Sequence, residues 1–397
     1  MSDAIQVTVE ELRLRNFRAF ENTRLTLSDL TFLVGRNGAG KSTLLDALDL
    51  LREAVTVGLE IALDRRGGID KVRRWTGRRG PKLPMAVAVV VHMHLRAGRT
   101  LRAVYGFEIR GDPSRSDAIT ELLTVAGSPD SSFHRAGDRL KEGPRVSVAP
   151  PTGNLVLPLA ARSDQIMSAV LDALRNLRAY EFSPAHMALA VDVGERSTLD
   201  RDGGNVGDVV KALQGSPDHR WVVERLAAIT PGLVDVRAIA LMGKRVLQLT
   251  QRTDAGDQKL DTSQVSQGTL RGLGMLLALR QEPTPSAILI DEVEDSFHPG
   301  ALSVLLDAAA ASLLRMRVVI TSHSPELLAH PSVNGERVRV VEWRDGLSRV
   351  YRLNEETRAA VNEIDTVGWM LSTNSLWTSP TPELAPDSIF AVEDAKP

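Results

Sequence analysis

The sequence contains no cysteine. Structural disulfides and cysteine-ligated zinc sites are thereby excluded, and the absence fits a cytosolic chain. It also lacks any apolar run near the ~20 residues a helix needs to cross a bilayer. The longest runs, such as Met85 to Val91, are strand-length. The opening MSDAIQVTVEELRLRNF is charged and alternating, with no apolar h-region, so no secretory signal is read there. A dominant charge is missing too. Its 48 basic and 50 acidic residues leave a net charge of −2, so any nucleic-acid surface has to be local. No hydrophobic heptad persists, which excludes a long coiled-coil arm. These absences predict a cytoplasmic chain with no membrane partner, and 397 residues suffice for one large core or two modest ones.

What is present is patterned. Residues 5–34 read as strands, ending in the apolar run Leu30 to Val34. From Ser42, the residues Leu44, Leu45, Leu48 and Leu51 recur at helical spacing. Residues 85–110 return to strand character. Residues 111–163 are rich in Pro, Gly, Ser and Asp and are expected to be loops around Pro113, Pro129, Pro144 and Pro150. Amphipathic helices are expected from Ile166, near Val206 to Leu213 and near Trp221 to Ile229, with Pro184, Pro217 and Pro231 as interruptions. Then come a helix from Thr269, a strand over Ala287 to Ile290, a helix after Pro299 and a strand over Val318 to Thr321. A hairpin is expected over 337–353, turning at Asp345-Gly346. The tail after Ser372 is expected to be extended or partly disordered.

Residues 35–43, GRNGAGKST, match Gly-x-x-x-x-Gly-Lys-Ser/Thr and sit between a buried strand and an amphipathic helix. Such a loop curls its N–H groups around one anion, and the helix adds its positive end. Gly35, Arg36, Asn37, Gly38, Ala39, Gly40, Lys41, Ser42 and Thr43 are the expected nucleotide-binding residues. Lys41 is expected to reach the β- and γ-phosphates of ATP, and Ser42 to ligate Mg²⁺. The strand AILI runs into Asp291 and Glu292. Asp291 is the second expected Mg²⁺ ligand, and Glu292 is placed to act as general base on the attacking water. An Asp-Glu pair also occurs at sheet ends without function; the phosphate loop is what favours the catalytic reading. Roughly 250 residues separate Lys41 from Asp291, far more than a compact domain of this kind needs, so a sizeable insertion lies between them.

Three further segments complete a pattern: SQGTLR at 266–271, DEVEDSFHPG at 291–300 and ITSHS at 320–324. In this order they resemble the signature, Walker B with D-loop, and switch-histidine motifs of ABC-type ATPase heads. The flavour is that of the stand-alone RecF/SMC-like and OLD-like ATPases of bacteria. Asn16-Phe17-Arg18-Ala19-Phe20 and Asp202-Gly203-Gly204-Asn205-Val206 are similar to that branch. The resemblance implies an α/β P-loop NTPase of ABC/SMC-head type, with a mixed central sheet flanked by helices and an inserted α+β lobe. It implies a homodimer with ATP at the interface. Ser266 and Gly268 would contact the γ-phosphate held by the partner, His323 would sense the γ-phosphate of its own subunit, and Asp295 would lie at the seam. The structural alternatives are a strand-capping histidine at 323 and a helix N-cap at Ser266. One departure stands out. No glutamine occurs between Gln6 and Gln165, where such heads carry a Q-loop. Another side chain fills that role, or water completes the Mg²⁺ shell. His92 and His94 read as structural.

Residues 1–100 and 261–355 are read as the two parts of the head, 101–260 as an inserted lobe partly completing it, and 356–397 as a tail. Fewer than eighty residues follow His323, and they lack the acidic pattern of a Toprim nuclease, so none is expected here. The segment 65–82, RRGGIDKVRRWTGRRGPK, concentrates positive charge around Trp75. Arg73, Arg74, Arg78 and Arg79 are therefore the candidate DNA or RNA contacts. The alternative is a solvated loop whose arginines pair with acids elsewhere. The functional expectation is an ATP-hydrolysing head acting on nucleic acid in genome maintenance or anti-phage defence. The rival is an ATP-gated module controlling a separate effector protein, a nuclease or toxin. A transporter subunit is disfavoured by the signature and the missing Q-loop.

Overall fold

The computed structural model describes residues 5–393, apart from 78–79, 96–98, 116, 143–152, 296, 364 and 374. The chain opens with strands β1 (Gln6–Phe17), β2 (Phe20–Thr26) and β3 (Leu30–Val34), then helices α1 (Lys41–Thr56), α2 (Leu59–Asp64) and α3 (Ile69–Val72). Strands β4 (Met85–His94), β5 (Thr100–Ile109), β6 (Ile119–Val125), β7 (Phe133–Ala136) and β8 (Arg139–Glu142) follow. Next come α4 (Leu157–Ala160), α5 (Gln165–Arg175), β9 (Leu177–Tyr180), α6 (Pro184–Met187), β10 (Val191–Asp192), α7 (Val206–Leu213) and α8 (Pro217–Ile229). Strands β11 (Leu233–Leu241), β12 (Lys244–Thr253) and β13 (Gly256–Asp261) lead to α9 (Gln267–Ala278), β14 (Ala287–Ile290), α10 (Pro299–Ala310) and β15 (Arg317–Ser322). The last elements are α11 (Pro325–Leu328), β16 (Val338–Arg344), β17 (Leu347–Tyr351), α12 (Glu355–Glu363) and α13 (Val367–Ser372).

The central sheet has the order β17-β16-β3-β15-β14-β9. It is parallel from β16 to β9, with β17 antiparallel at one edge. Its middle strands are apolar on both faces because each face meets a core. Leu33, Leu289 and Val319 enter one core with α1, α5 and the seven-stranded antiparallel sheet β2-β1-β4-β5-β6-β7-β8. Phe32, Val34, Ile288, Ile290, Val318 and Ile320 enter the other, with residues of α7 to α11. Strands β10 to β13 form the third sheet. Residues 101–260 thus supply strands to all three sheets.

Two expectations are corrected. Residues 111–163 hold three strands as well as turns; β6 alternates buried and half-buried residues along its whole length. Their expected loops at Pro144 and Pro150 lie outside the described residues. Pro184 and Pro217 begin helices instead of interrupting them. In each case the preceding serine, Ser183 or Ser216, caps the first turn, and proline at the first helical position loses no hydrogen bond. The tail is extended but not loose. Arg13 Nη1 donates to the carbonyl of Ala391 at 2.6 Å, Arg15 Nη2 to that of Asp387 at 2.8 Å, and Ile389 is buried against Ala86, Ala88, Val90 and Val104. Among the described residues no helix is long and apolar enough to cross a membrane.

Candidate nucleotide site

The phosphate loop bends from the end of β3 into α1, and two glycines are fixed by what surrounds them. A Cβ on Gly35 would lie 2.2 Å from the carbonyl oxygen of Val341 on β16. Gly40 has φ of 113° and would meet Ser348 Oγ at 2.7 Å. Gly40 caps α1 without a side chain, and the first turn holds no acid, so its free N–H groups and positive end suit an anion. Lys41 is buried. Its ammonium donates to the carbonyls of Gly35 at 2.6 Å and Arg36 at 3.3 Å. Burial lowers its pKa, opposed by the charges of Asp291, Glu292 and Glu294. Arg36, Asn37, Gly38 and Ser42 are exposed, Thr43 is half-buried and Ala39 is buried. The turn Asn16 to Phe20 lies alongside: Arg18 pairs with Asp46 of α1 at 2.6 Å, and Phe20 would touch a Cβ on Gly40.

The two acids after β14 are held by one hydroxyl. Thr321 Oγ1, on neighbouring β15, donates to Asp291 Oδ1 and accepts the backbone N–H of Glu292 at 2.8 Å. Among the described residues Asp291 Oδ2 takes no hydrogen bond. Glu292 itself has φ of 47°, a left-handed conformation uncommon outside glycine. Partial burial raises its pKa, and Asp295, Asp291 and Glu294 add to the rise while His323 opposes it.

Glu294 reaches from the same turn to His323. Its Oε1 accepts the His323 backbone N–H at 2.6 Å and lies 2.9 Å from Nδ1. A cavity of about 870 Å³ runs along Gly35 to Ala39 and is lined by His323 and Trp343, so the histidine faces the same space as the loop. Ser266 caps α9, accepting the Thr269 N–H at 3.0 Å, and remains exposed beside half-buried Gly268. Arg271 on α9 donates to the Asp295 carbonyl at 3.2 Å and faces its carboxylate at 3.5 Å, fastening the signature helix to the D-loop turn. Thr321, Glu294 and Arg271 are not singled out by the sequence motifs. Their signal is faint: each lies inside a motif, but its partner comes from another. Asp202 to Val206 is a structural loop, with buried Asn205 accepting from Asp200 N at 2.7 Å. His92 and His94 pack edge to face on β4, and His92 faces Glu10 at 3.7 Å.

The basic segment is largely paired with the chain's own acids. Arg66 faces Asp46 at 2.8 Å and Asp49 at 3.2 Å, and joins Glu53. Arg74 meets Glu21 at 2.7 Å, and Lys82 meets Asp70 at 2.8 Å. Arg73 is corrected as a nucleic-acid contact: it is 4% exposed and donates to the Gly111 carbonyl at 2.8 Å. Arg78 and Arg79 lie outside the described residues. Trp75 is 78% exposed.

Residues 191–329 match the family described as "AAA domain, putative AbiEii toxin, Type IV TA system", and residues 8–57 match an AAA ATPase domain family. An OLD nuclease of Thermus scotoductus is 49% identical over 43 residues, which cover 11% of this chain and 8% of the nuclease. Among solved structures, an SmcHead bound to the C-winged helix domain of ScpA aligns with TM-score 0.56 at 16% identity, covering 88% of this chain and 98% of that one. An Smc head domain bound to the C-terminal domain of ScpA, from Pyrococcus furiosus, aligns with TM-score 0.55 at 14% identity, covering 90% and 99%. These two show the fold, that of an SMC head domain. With the two AAA matches and the short match to an OLD nuclease, they make the chain similar to OLD- and SMC-type P-loop ATPases.

Proposed function

We propose that this chain is an ATP-gated head that binds MgATP, closes with a second copy around it and hydrolyses it. The observation that carries the reading is the convergence of Lys41, Asp291, Glu292 and His323 on one end of the central sheet. In this reading residues 1–100 and 261–355 supply the nucleotide machinery, 101–260 complete the head and 356–397 brace it. Gly35 to Thr43 cradle the phosphates. Ser42 and the uncommitted Asp291 oxygen are hard oxygen donors suited to Mg²⁺. When bound, the ion neutralises charge on the β- and γ-phosphates. Glu292 takes a proton from water as its oxygen bonds to the γ-phosphorus and the bond to the β–γ bridging oxygen breaks. A raised pKa makes it a stronger base. Ser266 and Gly268 of the other copy complete the γ-phosphate's surroundings. Phosphate release by wild type and Glu292→Gln tests this. Glu292→Gln should bind ATP yet release phosphate at least about 100-fold more slowly. An unchanged rate would remove Glu292 as the base.

The ion pairing of Arg66, Arg73 and Arg74 favours the second reading, in which ATP state governs docking of an effector protein. Nucleic-acid contact, in DNA maintenance or defence, would run through Arg74, Arg78, Arg79 and Trp75. Replacing the three arginines by glutamine should then weaken DNA binding at every sequence and flatten its salt dependence. Unchanged affinity and slope would leave effector docking as the reading.

A further inference from the structure

Glu294 has no role in the scheme above, yet its surroundings are specific. The side chain is 9% exposed. Its Oε1 takes the backbone N–H of His323 at 2.6 Å and faces Nδ1 at 2.9 Å. Its Oε2 is shut off from solvent with no hydrogen-bond partner among the described residues. A carboxylate oxygen 2.9 Å away, which only accepts, favours placing the ring hydrogen on Nδ1. Nε2 is then the nitrogen left for the cavity along the phosphate loop, which His323 helps to line. The partner of one ring nitrogen sets what the other can do.

We propose that Glu294 is the positioning residue of His323. It holds the ring through Nδ1 and the main chain through the amide, so that Nε2 is presented to the γ-phosphate of bound nucleotide. The inference rests on reading His323 as the γ-phosphate sensor. When the ring takes a second proton, Nε2–H becomes a donor to a phosphate oxygen, and the Glu294 carboxylate balances the charge. Because Glu294 sits next to Asp295, the same contact ties the switch histidine to the turn fastened by Arg271.

The test has two arms on the full chain. With ¹⁵N-labelled histidine and no nucleotide, at a pH where the ring is neutral, His323 should show the Nδ1–H tautomer. Its signal among the eight histidines is assigned by its loss in His323→Gln. Glu294→Ala should return it to the Nε2–H tautomer. Glu294→Gln, whose amide oxygen still accepts, should keep Nδ1–H. In steady-state hydrolysis Glu294→Ala should lower kcat by about 10- to 100-fold with little change in KM, as removal of a histidine's orienting partner does elsewhere. Glu294→Ala/His323→Ala should be no slower than His323→Ala alone. An Nε2–H tautomer in wild type, or losses that multiply, would overturn the proposal. His323→Ala at the wild-type rate would instead overturn the sensor reading itself, even with the tautomer as expected.

Discussion

Lys41 shows how much one residue does here. Its ammonium is buried, hydrogen-bonded to two carbonyls of its own loop, and surrounded by the charges of Asp291, Glu292 and Glu294. Removing it takes the positive charge from the phosphates and leaves the three acids to repel them. Lys41→Ala should therefore weaken ATP binding about 100-fold or more, within what truncating a buried charge partner costs. Titration calorimetry reads this directly, and ATP affinity equal to wild type would mean that this loop is not the phosphate site. The phosphate-loop motif and the Asp291-Glu292 pair are legible in the sequence, because their spacing is local. Thr321 and Glu294 are not legible in the same way. Each acts on a residue about thirty positions away in sequence, and only the parallel pairing of β14 with β15 brings them together.

At the scale of elements, the buried face of α1 explains the basic segment. Asp46, Asp49 and Glu53 lie along one side of the helix, and Arg66, held between α2 and α3, meets all three. Burial alone would raise the pKa of Glu53, but hydrogen bonds from Arg66 and Arg65 bring it below its usual range. A lowered folded-state pKa gives stability that is present above the unfolded value and is lost as pH falls through the folded one. Arg66→Leu should cost about 1–3 kcal/mol at neutral pH, because it removes one charged partner from three buried carboxylates that keep only Arg18, Arg52, Arg65 and Arg201. The loss should shrink at an acidic pH below the lowered folded-state pKa of Glu53, where that carboxylate is protonated. Urea unfolding at both pH values checks this, and an equal cost at the two would show that packing rather than charge is at stake. The sequence shows the arginines but not their partners, since the acids follow a helical period thirteen to twenty residues upstream. For a similar reason β6 to β8 are illegible: short strands between turns become strands only by pairing along the edge beyond β5. The helix after the phosphate loop and the strands flanking it are legible, because their apolar periods match what the two cores require.

At the scale of the whole molecule, the proposed closure around ATP requires a second copy to bring its signature, at exposed Ser266, to the phosphate loop. Ser266 is exposed at the start of α9, which Arg271 ties to the Asp295 turn. Glu292→Gln keeps size and hydrogen bonding but cannot accept the proton, so ATP should bind, the copies should close, and the cycle should stall there. The closed dimer should then accumulate with ATP and Mg²⁺ in sizing chromatography, while wild type stays mostly monomeric once hydrolysis has run. Adding Ser266→Arg places bulk and charge against the partner's γ-phosphate. That double variant should bind nucleotide as a monomer and fail to close. The serine's capping bond to Thr269 is lost too, at a cost of about 1 kcal/mol, so circular dichroism must first show the fold intact. A Glu292→Gln protein that gains no dimer, or a double variant that dimerises equally well, would count against closure around ATP. Should the chain dimerise without nucleotide through another surface, crosslinking from a cysteine at Asp295 separates the cases. This chain has no native cysteine to interfere. Only closure across the ATP seam should make that crosslink depend on nucleotide.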